Sequence, residues 1–122
     1  SQIIDMEKLV DYKEEWLWHG CVFRFPAKAP YENFVDFMLT IFSSFSNDKN
    51  LYLVVTSGYN AGFIVRQLPP ECHDEQHIAV KTKWLIDNWN DYVYSECNVE
   101  DVYVIPEHYE LKRLSDKSID CS

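Results

Sequence analysis

The chain has 122 residues, with 20 Asp and Glu against 11 Lys and Arg, a net charge of −9 and an aromatic content of 16%. That charge argues against binding to nucleic acid or to an anionic membrane and favours a basic partner. The aromatic load excludes a disordered acidic tail, which lacks aromatic and β-branched residues. With 47% hydrophobic residues the chain has the size and composition of one well-filled domain spanning 1–122. No run approaches the roughly eighteen apolar residues of a membrane-spanning helix, and no basic region followed by an apolar stretch opens it, so the expectation is a cytoplasmic protein.

Ser1 to Tyr12 mixes Ile3, Ile4, Met6, Leu9 and Val10 with acids and fits a short strand or one helical turn equally well. These residues, and those after Leu114, are expected to be peripheral. Trp16 to Phe25 (WLWHGCVFRF) places Leu17, Cys21, Phe23 and Phe25 on one face in alternation, which predicts a strand stopped by Pro26. Pro30 then suits the first turn of a helix. Tyr31, Phe34, Val35, Met38, Ile41, Phe42 and Phe45 recur at three- and four-residue steps, which predicts an amphipathic helix to about Ser46, with Glu32 and Asp36 in its first turns.

Leu51 to Thr56 (LYLVVT) reads as a buried strand, Ser57 to Asn60 as a turn, and Ala61 to Leu68 as the second arm of a hairpin ended by Pro69-Pro70. Lys81 to Tyr94 reads as a helix with Trp84, Leu85, Asn88, Trp89, Tyr92 and Val93 along one face and Thr82 as its N-cap. Asp101 to Ile105 is the last predicted strand. The order β-α-β-β-α-β describes an α+β sandwich, two helices on one face of a mainly antiparallel sheet, and permits a ferredoxin-like arrangement.

The cysteines, Cys21, Cys72, Cys97 and Cys121, lie 51, 25 and 24 residues apart, which matches no zinc-ribbon or finger spacing. They are expected to be free thiols, with Cys21 in the core and Cys121 exposed. Cys72-His73 with His77, beside Asp74 and Glu75, is the closest approach to a metal set, but it follows two prolines and lacks a second cysteine pair. A Cys–His catalytic pair drawn from Cys21 or Cys97 with His19 or His108 requires a thiolate in an electropositive setting, and this chain is electronegative. The adjacent carboxylates Glu14-Glu15, Asp74-Glu75 and Glu100-Asp101 read as solvated charge rather than a glycosidase pair. No phosphate loop, nucleophile elbow or RNA-binding patch is present. The expectation is a binding protein, not an enzyme, without cofactor or metal.

The acids are unevenly placed. Residues 71–122 hold twelve of the twenty, against five Lys and Arg. Asp87 and Asp91 stand one helical turn apart, Glu96, Glu100 and Asp101 follow, and Glu71, Asp74 and Glu75 precede the helix. They read either as a solubilising face or as a negative patch that meets Lys and Arg of a partner, with Tyr59 and Tyr94 as candidate anchors.

Three stretches, WLWHGCVFRFP, LYLVVTSGYNAGFIVRQLP and WLIDNWNDYVYSECNVEDVYVI, carry a resemblance. Over roughly residues 16–105, in the SGY-AG turn, the WLI-NW helix and the acidic VYV segment, the chain resembles the immunity protein 45 family of bacterial polymorphic-toxin systems. The resemblance implies a small cytoplasmic α+β antitoxin encoded beside a toxin, often one delivered by contact-dependent growth inhibition. It implies no catalysis and assigns no binding residue. The partner implied is the cognate toxin's C-terminal domain, and a basic nuclease fits the charge; the alternative is an acidic adaptor or nucleic-acid mimic that regulates a host protein.

Overall fold

The computed structural model describes residues 6–29, 31–43, 49–72 and 78–106. Eight strands run in chain order: β1 (Glu7–Lys8), β2 (Trp16–Trp18), β3 (Val22–Pro26), β4 (Phe34–Ser43), β5 (Lys49–Val55), β6 (Ile64–Gln67), β7 (Ala79–Lys81) and β8 (Tyr103–Ile105). One helix, α1 (Thr82–Asn88), continues into a π turn at Trp89–Val93. Six strands form an antiparallel sheet in the order β1-β8-β3-β4-β5-β6, and β2 pairs with β7 apart from it.

The predicted strand at 16–25 divides at Gly20, whose φ of 93° turns the chain out of β2 and into β3. The Gly20 N–H donates to the Leu39 carbonyl and the Leu39 N–H to that of Cys21, so the turn is sewn to β4. The alternation still holds: Leu17, Cys21, Phe23 and Phe25 are all buried.

The helix expected from Tyr31 to Ser46 does not form. Residues 34–43 are β4, paired with β3 through Val22↔Met38 to Pro26↔Phe34 and with β5 through Phe37↔Val55 to Ser43↔Lys49. β4 lies in the middle of the sheet and is apolar on both faces, so the helical steps 34, 38, 41 and 42 coexist with strict alternation of Val35, Phe37 and Leu39, each 0% exposed. Its β-branched and aromatic residues favour the strand, and register with two neighbours decides it. Pro30 and Phe45 lie outside the described residues. The architecture is therefore α+β, with one helical segment on the sheet among the described residues where two were expected.

The hairpin is present, its second arm shortened to Ile64–Gln67 and bulged opposite Leu53/Val54. The N-terminal segment uses both of its readings: β1 adds to the sheet edge, and a 3-10 turn at Leu9–Asp11 follows, with Leu9 fully buried. Thr82 is not the N-cap. Lys81 holds that position, and the Thr82 hydroxyl donates to the Glu14 carbonyl at 2.8 Å, tying the helix start to the segment before β2.

The core lies between one sheet face and the helical segment. Trp89, fully buried, sets its ring edge-on to Phe23 and Phe25 at centroid distances of 5.9 and 5.2 Å, and Phe25 does the same to Phe37 at 4.9 Å. Burial of such side chains contributes about 1.5–3 kcal/mol each. Among the described residues no helix is long and apolar enough to cross a membrane.

Candidate protein-binding surface

At one end of the sheet three loops are pinned together. The Glu32 carboxylate accepts the Tyr59 N–H at 3.0 Å, which locks the 56–63 turn to the segment before β4. That hydrogen bond holds Glu32 below its ordinary value. The Tyr94 hydroxyl accepts the Lys28 N–H at 2.9 Å, and its ring packs 5.0 Å from Phe25 and 6.2 Å from Tyr31. Glu96 approaches Lys28 at 3.8 Å, both exposed. Tyr59, Tyr94 and Glu96 are thus each tied to the 28–32 segment. Tyr94 is half-buried and structural, whereas Tyr59 is 91% exposed and free to meet a partner.

The other acids follow the helix and its exit. Asp87 pairs with Lys83 one turn back at 3.4 Å. Asp91 lies exposed on the π turn. The Asn90 amide donates to the Cys97 carbonyl at 2.7 Å and to that of Tyr94 at 3.4 Å, folding 94–98 against the helix end. Glu100 and Asp101 occupy a 3-10 turn, Val99–Asp101, which packs against the turn at Leu9–Asp11 because the Leu9 N–H donates to the Val102 carbonyl. Asp91, Glu100 and Asp101 have no ion-pair partner among the described residues.

The packing of those two turns adds Asp11, and Glu7 on the adjacent β1, to the acids at that edge. Sequence reasoning missed both, since about ninety residues separate them from Glu100; the signal available was the mixture of apolar and charged residues at 6–12, which suits an edge strand. Glu71 is elsewhere. Its turn, Pro70–Cys72, follows the Leu68-to-Leu51 hydrogen bond at the end of the sheet opposite Tyr59. Asp74 and Glu75 lie outside the described residues, as do His73, His77, His108 and Cys121.

The thiols are free and buried at Cys21, Cys72 and Cys97. Burial pushes Cys21 and Cys72 up to about 12, and burial with Asp101 nearby raises Cys97. None is a thiolate nucleophile near neutral pH. Among the described residues no three His, Cys, Asp or Glu converge as a metal set. What these acids can do is accept hydrogen bonds and ion pairs from cationic side chains, and Tyr59 is separately exposed for contact.

The model of immunity protein 45 matches residues 9–104. The chain belongs to the immunity protein 45 family. The match takes in every described strand but the first and the last residue of β8. No curated protein and no solved structure matches the chain significantly. Immunity proteins bind and neutralise a cognate toxin and in general are not catalysts.

Proposed function

We propose that this immunity protein neutralises the C-terminal domain of a polymorphic toxin, of the kind delivered by contact-dependent growth inhibition, in the cytoplasm of the cell it protects. The toxin is a basic nuclease, and Asp87, Asp91, Glu96, Glu100 and Asp101, with Asp11, stand in for phosphates opposite the Lys and Arg of its substrate groove. Tyr59 adds an aromatic anchor at the rim. Glu71, Asp74 and Glu75 form a second negative segment before the helix. The family match over 9–104 carries this reading, and the carboxylates of Asp91, Glu100 and Asp101, without an ion-pair partner among the described residues, support the charge of the partner.

The test is titration of the toxin domain encoded beside this gene at low and high salt, with protection of cells read in parallel. One-to-one binding at nanomolar strength that weakens as salt rises supports the reading. Full protection by a variant with Asp87, Asp91, Glu100 and Asp101 all neutralised removes the acidic contact and leaves immunity standing. Absence of any toxin gene nearby turns the reading to an acidic adaptor of a host protein.

A further inference from the structure

The sheet has a second face that the core does not use. Register places Val22, Met38 and Val54 in one row across β3, β4 and β5, with Ile64 of β6 at one end and Ile105 of β8, itself only 9% exposed, at the other. Val22, Met38 and Val54 take no part in the core cluster, whose sheet residues all alternate onto the other face with α1, β2 and β7. Phe34, Phe42 and Ile64, on the outer parts of this second face, are 62, 58 and 67% exposed. Large apolar side chains concentrated on one face mark an interaction site rather than scatter.

The charges on this face say what fits it. The neighbouring row is Lys8, Tyr103, Arg24 and Asp36, and Asp36 neutralises Arg24 through two hydrogen bonds. Among the described residues, Lys8 and Arg24 against Asp36 leave the face at +1 on a chain of −9. A basic toxin is drawn to the rest of the surface, not here. Two copies of this chain repel each other through their acidic surfaces but can meet face to face here, with Arg24 already paired to Asp36 and Lys8 at the β1 edge as the charge left over among the described residues. Six strands about 4.8 Å apart, with β4 the longest, give a face on the order of 500 Å² in plan. Doubled, and with the relief of its side chains, it reaches the roughly 1,000 Å² of total buried area that a specific interface needs.

We propose that this face is a homodimer interface, in which two copies stack sheet on sheet and leave both acidic edges free for toxin. Sheets packed this way keep their strands within about 30° and interdigitate rows such as Val22, Met38 and Val54.

Sedimentation of the full chain from about 1 to 100 µM reads the proposal directly. The expected result is a dimer whose affinity holds or strengthens between about 50 and 500 mM salt, because salt screens the repulsion of the like-charged remainder. Phe42→Asp and Ile64→Lys, at exposed positions that folding does not need, weaken dimerisation at least about tenfold with unchanged circular dichroism. Met38→Lys, at the centre, weakens it further. Toxin affinity of the two peripheral variants is retained. A chain monomeric throughout that range overturns the proposal, as does a dimer that these substitutions leave intact. Loss of toxin binding in Phe42→Asp and Ile64→Lys without a change of mass assigns the face to the toxin and overturns it as well.

Discussion

Arg24 and Asp36 face each other across β3 and β4, Nε to Oδ1 at 2.8 Å and Nη2 to Oδ2 at 2.9 Å, in a register that aligns their Cα atoms. The two partners are unequally wet: the Asp36 side chain is 15% exposed and that of Arg24 36%. Removing Arg24 strands the more buried charge, while removing Asp36 leaves a guanidinium that water reaches. Arg24→Ala is expected to cost about 1–3 kcal/mol by chemical denaturation, and Asp36→Ala less. Equal losses, or the reverse order, would contradict this account of the pair.

Glu32 stands where a Cβ on Gly58 would collide with it, and Gly58 has a φ of +66°. Two penalties therefore meet at Gly58, backbone strain and displacement of the carboxylate from the Tyr59 N–H, whereas Gly62, at φ +99°, has open space and bears the first alone. Gly58→Ala and Gly62→Ala are each expected to cost about 1–2 kcal/mol in thermal unfolding, and only Gly58→Ala to release the Tyr59 N–H from Glu32.

The same hydrogen bond sets a pH dependence. Glu32 is held below its ordinary 4.5 by the Tyr59 N–H first and its own N–H second. A carboxylate depressed in the folded chain contributes above its unfolded value and loses that contribution as pH falls through the folded one. The Tyr59 amide resonance is expected to titrate with a midpoint below 4.5, and Glu32→Gln to abolish that titration. A midpoint at or above 4.5 contradicts the anchor.

The hairpin, the last strand and the helix around Trp89 were legible because each carries a local signal: turn residues at 57–60, a stop at Pro106, and apolar positions three and four apart. β4 was not. Its Phe34, Met38 and Phe42 face away from the core yet are as apolar as Val35, Phe37 and Leu39, so two periods fit one segment. Only pairing with β3 and β5, a non-local fact, separates them. The break at Gly20 was hidden likewise, since residues on both sides of it keep one face buried. For the candidate surface, acids near each other in sequence were visible, while Asp11 beside Glu100 and Asp101 required the β1–β8 pairing.

Trp89 fills the space between helix and sheet with an indole nitrogen that has no hydrogen-bond partner among the described residues. Its contribution is therefore ring packing against Phe23 and Phe25, not polarity. Trp89→Ala is expected to cost about 3–5 kcal/mol. Trp89→Phe keeps an edge-on ring, loses no hydrogen bond and is expected to cost about half as much or less by the same measure. A Phe variant as unstable as the Ala variant would show that the indole nitrogen matters.

Burial keeps Cys21 and Cys72 protonated, their thiols pushed up to about 12 from an ordinary 9.0, and Cys97 is raised by burial first and Asp101 second. A thiol reacts as its thiolate, so at pH 8 the folded chain is expected to leave these three sites unmodified by iodoacetamide. Denaturant should open all three, and peptide mass spectrometry locates the label. The shifts also set the alkaline limit of stability. An acid whose pKa rises on folding favours the native state below its unfolded pKa and gives up that advantage as pH climbs through the folded one. Denaturation midpoints are thus expected to fall as pH rises above 9, where the unfolded thiols ionise and the folded ones do not. Cys21→Ala and Cys72→Ala should each flatten that alkaline limb while lowering stability at pH 7, because each also vacates core volume. A limb as steep in the double variant as in the parent chain would assign it to other groups.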